Sequence, residues 1–295
     1  MNKTLSIIIP AYNEADCLKD YLPIVLGFCE KRNYYLIIVN DGSKDATAEI
    51  CEKIISSSVN GVLINHKVNR GYGGAIKSGV YASNADYIVT IDADGQHNLE
   101  DVDILFQKIL KTDADMIVGS RKGQKEASGF RSLGKLVIRK FAKFLIPNNI
   151  YDINSGMKMY NSTLGKKYAS LCPDGMSYSD TILLAFVNFR HLVIEHPIRI
   201  NQRLTGESTI GTMTAIETIK EILNLVILFN PLKVFFPLAM FVFFISVLWG
   251  IPIVLRGDGV SVGTLLGLVT SLLLFAIGLL AEQISQIRKM KVNTK

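Results

Sequence analysis

The 295-residue sequence predicts an α/β fold, a mostly parallel sheet covered by helices, followed by an amphipathic juxtamembrane helix and a two-helix transmembrane hairpin. Three observations carry that prediction. Short β-branched runs alternate with helical patterns from Thr4 onward, and each run ends in a polar motif. After Pro231 two long uncharged stretches follow one another. The apolar fraction of 49% and the mean hydropathy of +0.29 are high for a purely soluble chain, in keeping with the third observation.

The elements follow in order. L-S-I-I-I (5–9) reads as a strand, then a helix from about Asn13 to Lys31, and Y-L-I-I-V (35–39) as the second strand. A helix from about Lys44 to Ser57, the strand G-V-L-I-N (61–65), a helix from about Tyr72 to Ser83 and the strand Y-I-V-T-I (87–91) continue the alternation. Near-continuous apolar strands fit burial on both faces, as in a parallel sheet, and ligands of such sheets bind beyond the carboxyl ends of the strands. F-R-S-L-G-K-L-V-I-R-K-F-A-K-F-L-I (130–146) sets Lys135, Arg139 and Lys143 opposite Leu133, Leu136, Val137, Phe141 and Phe144, a basic amphipathic helix suited to a membrane interface. M-T-A-I-E-T-I-K-E-I-L-N-L-V (213–226) is a second amphipathic helix.

The uncharged segments 234–255 and 260–281 are each long enough to cross a hydrocarbon core. R-G-D-G (256–259) between them is a hairpin turn. Lys233 precedes the first span and Arg288, Lys289 and Lys291 follow the second, so the positive-inside rule expects an integral membrane protein with both termini and the large N-terminal domain in the cytoplasm. Leu5–Pro10 is too short for a signal-peptide core. The expected organisation is a cytosolic domain over 1–210, a juxtamembrane helix over 211–231 and a hairpin with a basic tail over 232–295. Cys17, Cys29, Cys51 and Cys172 show no metal-ligand spacing and read as small core residues. The net charge of +6 is compatible with nucleic acid, anionic lipid or phosphorylated substrates; its position near the spans selects lipid and phosphate, with no nucleic-acid partner expected. A homo-oligomer is compatible with the sequence.

The strand ends carry P-A-Y-N-E (10–14), N-D-G-S (40–43), D-A-D-G-Q-H (92–97) and G-S-R-K (119–122). Each alone is also good turn or helix-cap chemistry, and Asp45 suits a cap for the next helix. Together, at one edge of one sheet, they favour a site. Along an extended segment after the fourth strand, Asp92 and Asp94 point the same way and Gln96 continues the period-two row, so the three offer oxygens to one hard cation, Mg²⁺ or Mn²⁺. Such ions are commonly completed by substrate phosphates, which points to a nucleoside diphosphate. His97 reads as a hydrogen-bonding residue outside that set. N-R-G-Y-G-G-A-I (69–76) allows backbone to approach phosphate, but Ile76 breaks the dinucleotide pattern and no G-x-x-x-x-G-K-[ST] occurs, which disfavours nicotinamide and P-loop enzymes.

P-A-Y-N-E, N-D-G-S, N-R-G-Y-G, D-A-D-G-Q-H and G-S-R in this order resemble glycosyltransferase family 2, in its polyisoprenyl-phosphate branch that includes dolichyl-phosphate mannose synthase, over about residues 4–210. The resemblance implies a GT-A fold, a nucleoside-diphosphate sugar donor, a divalent cation and inversion at the anomeric carbon. It implies that Pro10, Ala11, Tyr12, Asn13, Glu14, Asp41, Arg70, Asp92, Ala93 and Arg203 bind the nucleotide sugar, and that Asp92, Asp94 and Gln96 manage metal and diphosphate, with Asp94 also in a catalytic role. Asp41 suits uracil and guanine alike, so UDP- and GDP-linked donors both stay open. D-I-N-S-G-M-K (152–158) resembles the family's acceptor loop and makes Asp152 the candidate catalytic carboxylate. Arg121 and Arg131, with Ser132, are expected at the acceptor phosphate, since guanidinium forks match phosphate geometry. A phosphate monoester is already mostly an oxyanion at neutral pH, so Asp152 is expected to orient more than to deprotonate. Two departures from the family pattern are Thr209, where a Lys is usual, and Tyr178-Ser-Asp180, which leaves Asp180 as a weaker candidate for the sugar or the loop.

The expected reaction is transfer of a monosaccharide to a polyprenyl phosphate, undecaprenyl or dolichyl, at the bilayer surface. A processive polysaccharide synthase shares the rim motifs but carries Q-x-x-R-W, and the single Trp here, Trp249, lies in a predicted span. A non-catalytic sugar-nucleotide-binding subunit is the remaining alternative; it would tolerate loss of the acidic motif that this chain keeps.

Overall fold

The computed structural model describes residues 3–56, 58–121, 150–201, 223–224, 226–257 and 259–293. They fall into two compact units, one drawn from residues 3–121 and 150–201 and the other from residues 223–293. The helix expected over 130–146, nearly all of that expected over 213–226 and the domain boundary near residue 210 lie outside the described residues, as do Arg131, Ser132, Arg203 and Thr209.

The first unit begins with β1 (Leu5–Ala11), α1 (Ala15–Arg32), β2 (Tyr35–Asn40), α2 (Thr47–Ile55), β3 (Gly61–Asn65), α3 (Tyr72–Ala82), β4 (Tyr87–Thr90), α4 (Leu99–Thr112) and β5 (Met116–Ser120). Local chemistry sets the ends. Asn33 adopts φ 58° and donates its amide to the Cys29 and Glu30 carbonyls, closing α1 with a left-handed cap. Asn98 starts α4 by accepting the Glu100 amide. Four further short elements follow, β6 (Lys158–Asn161), α5 (Ser162–Ala169), α6 (Tyr178–Asn188) and β7 (Val193–Pro197), which the sequence reading does not foresee.

The strands form one seven-stranded sheet in the order β3-β2-β1-β4-β6-β5-β7. All pairs are parallel except those of β6, which runs antiparallel to β4 and β5. Both faces are covered. Leu5, Ile7, Ile9, Leu36, Ile38, Val89 and Ile117 join Leu18, Leu22, Val102, Leu105 and Phe106 of α1 and α4 in one core. The alternate residues Ile8, Ile37, Val39, Ile88 and Val118 are buried as well, with Ile8 against Gly79 of α3.

Two features of the sheet place the site. The strand order reverses between β1 and β4, which opens a crevice at their carboxyl ends. Lys158 pairs with Thr90 and Val118, so β6 enters the sheet where β4 and β5 leave it. Residues 150–157, which precede β6, are thereby delivered to the same rim as the strand-end motifs.

The second unit holds α7 (Leu232–Leu255) and α8 (Val262–Asn293). Both are long and apolar enough to cross a membrane, and only 17% of the most apolar stretch of each is buried. A helix at the core of a soluble protein would be mostly buried. Gly250 meets Thr264, Gly267 meets Ser246 and Gly278 meets Phe235, a register that makes the pair antiparallel and brings the backbones close. Ser285 Oγ donates to Leu228 O at 2.9 Å and Lys289 Nζ to Phe229 O at 2.7 Å, so the end of α8 satisfies the last carbonyls of the helical residues before α7.

Candidate active site

The loops after β1 and β2 are stitched to each other. Asn13, at φ 54°, donates its amide to Ser43 Oγ and accepts the Lys44 amide on Oδ1. The Glu14 amide donates to Thr47 Oγ1, and Asp45 accepts the Ala15 and Thr47 amides, so it serves the first turns of both α1 and α2. Burial pushes the Asp45 carboxyl up, but the hydrogen bond from the Thr47 hydroxyl and then those from the two amides outweigh it and hold the group below its ordinary value. Pro10 and Ala11 are buried in β1, whereas Tyr12 is exposed at the rim.

Asp41 is 3% exposed. Its Oδ1 lies 2.6 Å from His66 Nδ1 and accepts the Arg70 amide at 2.9 Å, and its Oδ2 accepts the Gly71 amide at 2.8 Å. Asp41 thus folds the Arg70–Gly71 turn beneath the rim, and Arg70 is placed there through its backbone. The glycines that follow have a structural reason. The amides of Gly73 and Gly74 donate to the carbonyls of Gly175 and Asp174, so this helix start is closed by the 173–175 loop and does not offer those amides to a phosphate, contrary to the sequence expectation. A Cβ on Gly71, itself at φ +87°, would meet Asp174 O at 2.6 Å.

After β4 the chain does not stay extended. It turns at Ala93–Gly95, with Gly95 at φ +73°, and Asp94 Oδ1 accepts the Gln96 amide at 3.1 Å across the turn. The period-two row of Asp92, Asp94 and Gln96 is therefore replaced by a turn, because a glycine at positive φ ends the strand pattern. Asp94 is buried and Asp92 is about a third exposed. Tyr72 OH donates to Asp92 Oδ1 at 3.2 Å; burial first, then the Asp92 charge, pushes this phenol well above its ordinary value, which keeps it a donor. His97 is buried and its Nδ1 accepts the Asp92 amide at 3.1 Å, a bracing role in line with its exclusion from the metal set.

Among the described residues no group of three His, Cys, Asp or Glu side chains is arranged to hold a metal ion. What the turn offers is two carboxylates and an amide oxygen from residues 92–96, with no thiolate or free imidazole nitrogen. That donor set fits a hard cation that keeps open positions for diphosphate oxygens.

Asp152 and Arg121, expected separately as catalytic carboxylate and acceptor-phosphate clamp, form one unit. Asp152 Oδ2 accepts from Arg121 N at 2.9 Å and Nε at 2.7 Å, and Oδ1 from Nη2 at 2.7 Å. Burial pushes the Asp152 carboxyl up, yet the Arg121 hydrogen bonds and charge outweigh this and hold it below its ordinary value; the same bonds push Arg121 up. Glu195 Oε1 accepts the amides of Tyr151 and Asp152 at 3.0 and 2.9 Å. The Arg121 side chain remains half exposed, aimed by the buried carboxylate.

Several residues at this rim escaped the sequence reading. Tyr72, Thr90, Glu195 and Ser179 act through tertiary contacts that no spacing encodes. Lys158 did leave a trace, a charge within the apolar run M-K-M-Y (157–160); it is 1% exposed. Asp180, the weaker candidate, is buried in the first turn of α6, where its charge favours the protonated form of Lys158.

Comparison with known proteins follows the same lines. The profile of glycosyl transferase family 2 matches residues 6–168, and that of the GtrB C-terminal hairpin matches residues 230–287. A dolichyl-phosphate beta-glucosyltransferase of Dictyostelium discoideum is 32% identical over 184 residues, 56% of this chain and 56% of the relative. An undecaprenyl-phosphate 4-deoxy-4-formamido-L-arabinose transferase of Edwardsiella ictaluri is 27% identical over 228 residues, 75% of this chain and 67% of the relative. The match thus spans little more than half the length of the first relative and two thirds of the second. Glucosyl-3-phosphoglycerate synthase of Mycobacterium tuberculosis, solved with Mn²⁺, UDP and phosphoglyceric acid, superposes with a TM-score of 0.58 at 18% identity over 76% of this chain and 79% of that one, a likeness of fold. The sheet with its rim of strand-end motifs is the GT-A fold, and the chain belongs to glycosyltransferase family 2, in its polyisoprenyl-phosphate branch.

Proposed function

We propose that the protein transfers a monosaccharide from a UDP- or GDP-linked donor to a polyprenyl phosphate at the cytoplasmic face of a membrane, with inversion and with a requirement for Mg²⁺ or Mn²⁺. The observation that carries this reading is the acidic turn Asp92–Gln96, lying in the same unit and at the same rim as the Asp152–Arg121 pair, in a chain that ends in a membrane-type hairpin. The names of the relatives, which place dolichyl or undecaprenyl phosphate as acceptor, support it.

In this reading Pro10, Ala11, Tyr12, Asn13, Glu14, Asp41 and Arg70 form the nucleoside end of the cleft, with Asp41 acting through the Arg70–Gly71 turn that it folds. Asp92, Asp94 and Gln96 would hold the cation, Ala93 lies in the turn between the two carboxylates, and Arg203 meets the diphosphate. A bound divalent ion supplies charge neutralisation to the departing nucleoside diphosphate. Arg121, with Arg131 and Ser132, binds the acceptor phosphate, whose oxygen attacks the anomeric carbon from the face opposite the leaving group. The acceptor oxygen arrives ionised, so no base has to remove a proton from it. Asp152, engaged on three donors of Arg121, orients that guanidinium, in keeping with a candidate catalytic carboxylate that orients more than it deprotonates. Lys233, Arg288, Lys289 and Lys291 flank the two spans, and this positive-inside bias supports a cytoplasmic placement of both flanks.

The test is a panel of nucleotide sugars incubated with the purified protein and undecaprenyl or dolichyl phosphate, with metal or with chelator. A metal-dependent lipid-linked monosaccharide from at least one donor is expected, and Asp94→Ala should abolish it while leaving the protein folded. Full activity of that variant, or in chelator, overturns the reading.

A further inference from the structure

We infer that Lys158 is a positioning residue of this reaction: its buried ammonium clamps the irregular segment 152–157 and so sets the Asp152–Arg121 pair beside Asp92. The inference rests on the proposed reading of the rim as the transfer site.

Lys158 opens β6, and its side chain returns beneath the segment that leads into the strand. Nζ donates to Ile153 O at 2.9 Å, to Ser155 O, and to Ser179 Oγ at 2.7 Å. Ser179 spends its own proton on Ser155 O at 2.7 Å, so its oxygen can only accept from Lys158. Three acceptors thus face three N–H bonds, and an uncharged amine, with two, would leave one of them unpaired in a site closed to water. Two further carbonyls of the segment are tied from other directions. Gly156 O accepts Thr90 Oγ1 at 2.6 Å and Met157 O accepts the Gly119 amide at 2.9 Å. At one end of the segment stands Asp152 with Arg121; at the other Gly156 lies so near the Asp92 carboxylate that an added Cβ would sit 2.6 Å from its Oδ2. One clamp therefore sets the spacing between the proposed acceptor and donor sides.

The charges around Nζ explain why a cation is kept here at all. Asp180 of α6, Asp152 of the clamped segment and Asp92 of the acidic turn favour the protonated form, whereas Arg121 opposes it. Burial is the largest influence and pushes the ammonium down to about 8, so the charged clamp is complete at neutral pH and is lost as pH rises through that value.

Lys158→Met, Lys158→Arg and Ser179→Ala test the clamp by two readouts, hydrogen–deuterium exchange of residues 151–157 and the pH dependence of kcat. Lys158→Met should speed exchange in that segment and lower kcat about 100-fold, the scale expected when a reacting group is misplaced by about 1 Å. Ser179→Ala, which keeps the ammonium, should raise exchange less. Lys158→Arg stays charged at every pH, so it should recover part of kcat and lack the fall in kcat expected of the wild type as pH rises through about 8. Wild-type exchange and kcat in Lys158→Met, or an unchanged alkaline limb in a folded Lys158→Arg, overturns the inference. Should Lys158→Met fail to fold, wild-type exchange in Ser179→Ala overturns it. A wild-type protein that moves no sugar to any polyprenyl phosphate defeats the transfer reading instead, while the exchange measurement still decides the clamp.

Discussion

Gly156→Ala is the sharpest perturbation of the acidic turn, because it adds one methyl group directly against a proposed metal ligand. The Cβ would stand 2.6 Å from Asp92 Oδ2, 3.1 Å from Oδ1 and 3.2 Å from Cγ, where ordinary contact begins at 3.4 Å, so the carboxylate has to retreat by about 0.8 Å. It cannot retreat freely, since Tyr72 holds Oδ1 and the Asp92 amide is fixed on His97. A shift of that size in a group that positions the diphosphate costs about 100-fold in kcat/KM, or about 2.7 kcal/mol of transition-state stabilisation. The fold should notice much less: Gly156 is not among the positive-φ glycines, and Tm should fall by no more than about 4 °C. Metal-dependent binding of UDP and GDP by calorimetry, and transfer of labelled sugar to polyprenyl phosphate, are the assays, with Asp92→Asn as the reference. A Gly156→Ala protein with wild-type nucleotide affinity and kcat/KM, alongside a crippled Asp92→Asn, refutes the argued packing of Gly156 on that carboxylate.

Two further predictions concern stability. Asp152→Ala removes all three hydrogen bonds to Arg121 and should cost about 2 kcal/mol at neutral pH, discounted for the half-exposed guanidinium, in urea unfolding of the extracted protein. Because the folded carboxyl is held low, that contribution is present above about pH 4, the value for the unfolded chain, and fades as pH falls further toward the folded value. The gap between wild type and variant should therefore close on acidification, and a gap that widens instead contradicts the assigned ion pair. Gly73→Ala drives a methyl group into Pro173 O, Gly175 O and Tyr178 Cβ, and about 2–3 kcal/mol of destabilisation from overpacking should appear in the same unfolding assay. A neutral effect there would mean that the 173–175 loop moves aside at no cost.

Much of the site was legible because its residues sit in short local motifs. The strand-end clusters 10–14, 40–43 and 92–97 fall where β1, β2 and β4 leave the sheet, as alternating β and α patterns require. The geometry within them was less legible. Spacing alone suggested an extended row through Asp92, Asp94 and Gln96, but Gly95 at positive φ converts it to a turn, and a glycine's choice of φ is set by its surroundings. Gly71, Gly73 and Gly74 allow backbone to approach a phosphate on sequence grounds, but the 173–175 loop, about 100 residues later in sequence, takes up the amides of Gly73 and Gly74.

What the chain determined by itself is therefore the class of fold, the rim on which the polar motifs gather and the two apolar helices at its C-terminal end, since these follow from periodicity and composition over neighbouring residues. Only the tertiary structure decided that β6 enters antiparallel, bringing Asp152 to the rim, that this carboxylate belongs to Arg121, and that Lys158 lies beneath both with its three protons satisfied. The physical reason is that hydrogen bonds and ion pairs between residues 20 to 100 positions apart depend on strand register and burial, and no local pattern in the sequence records either.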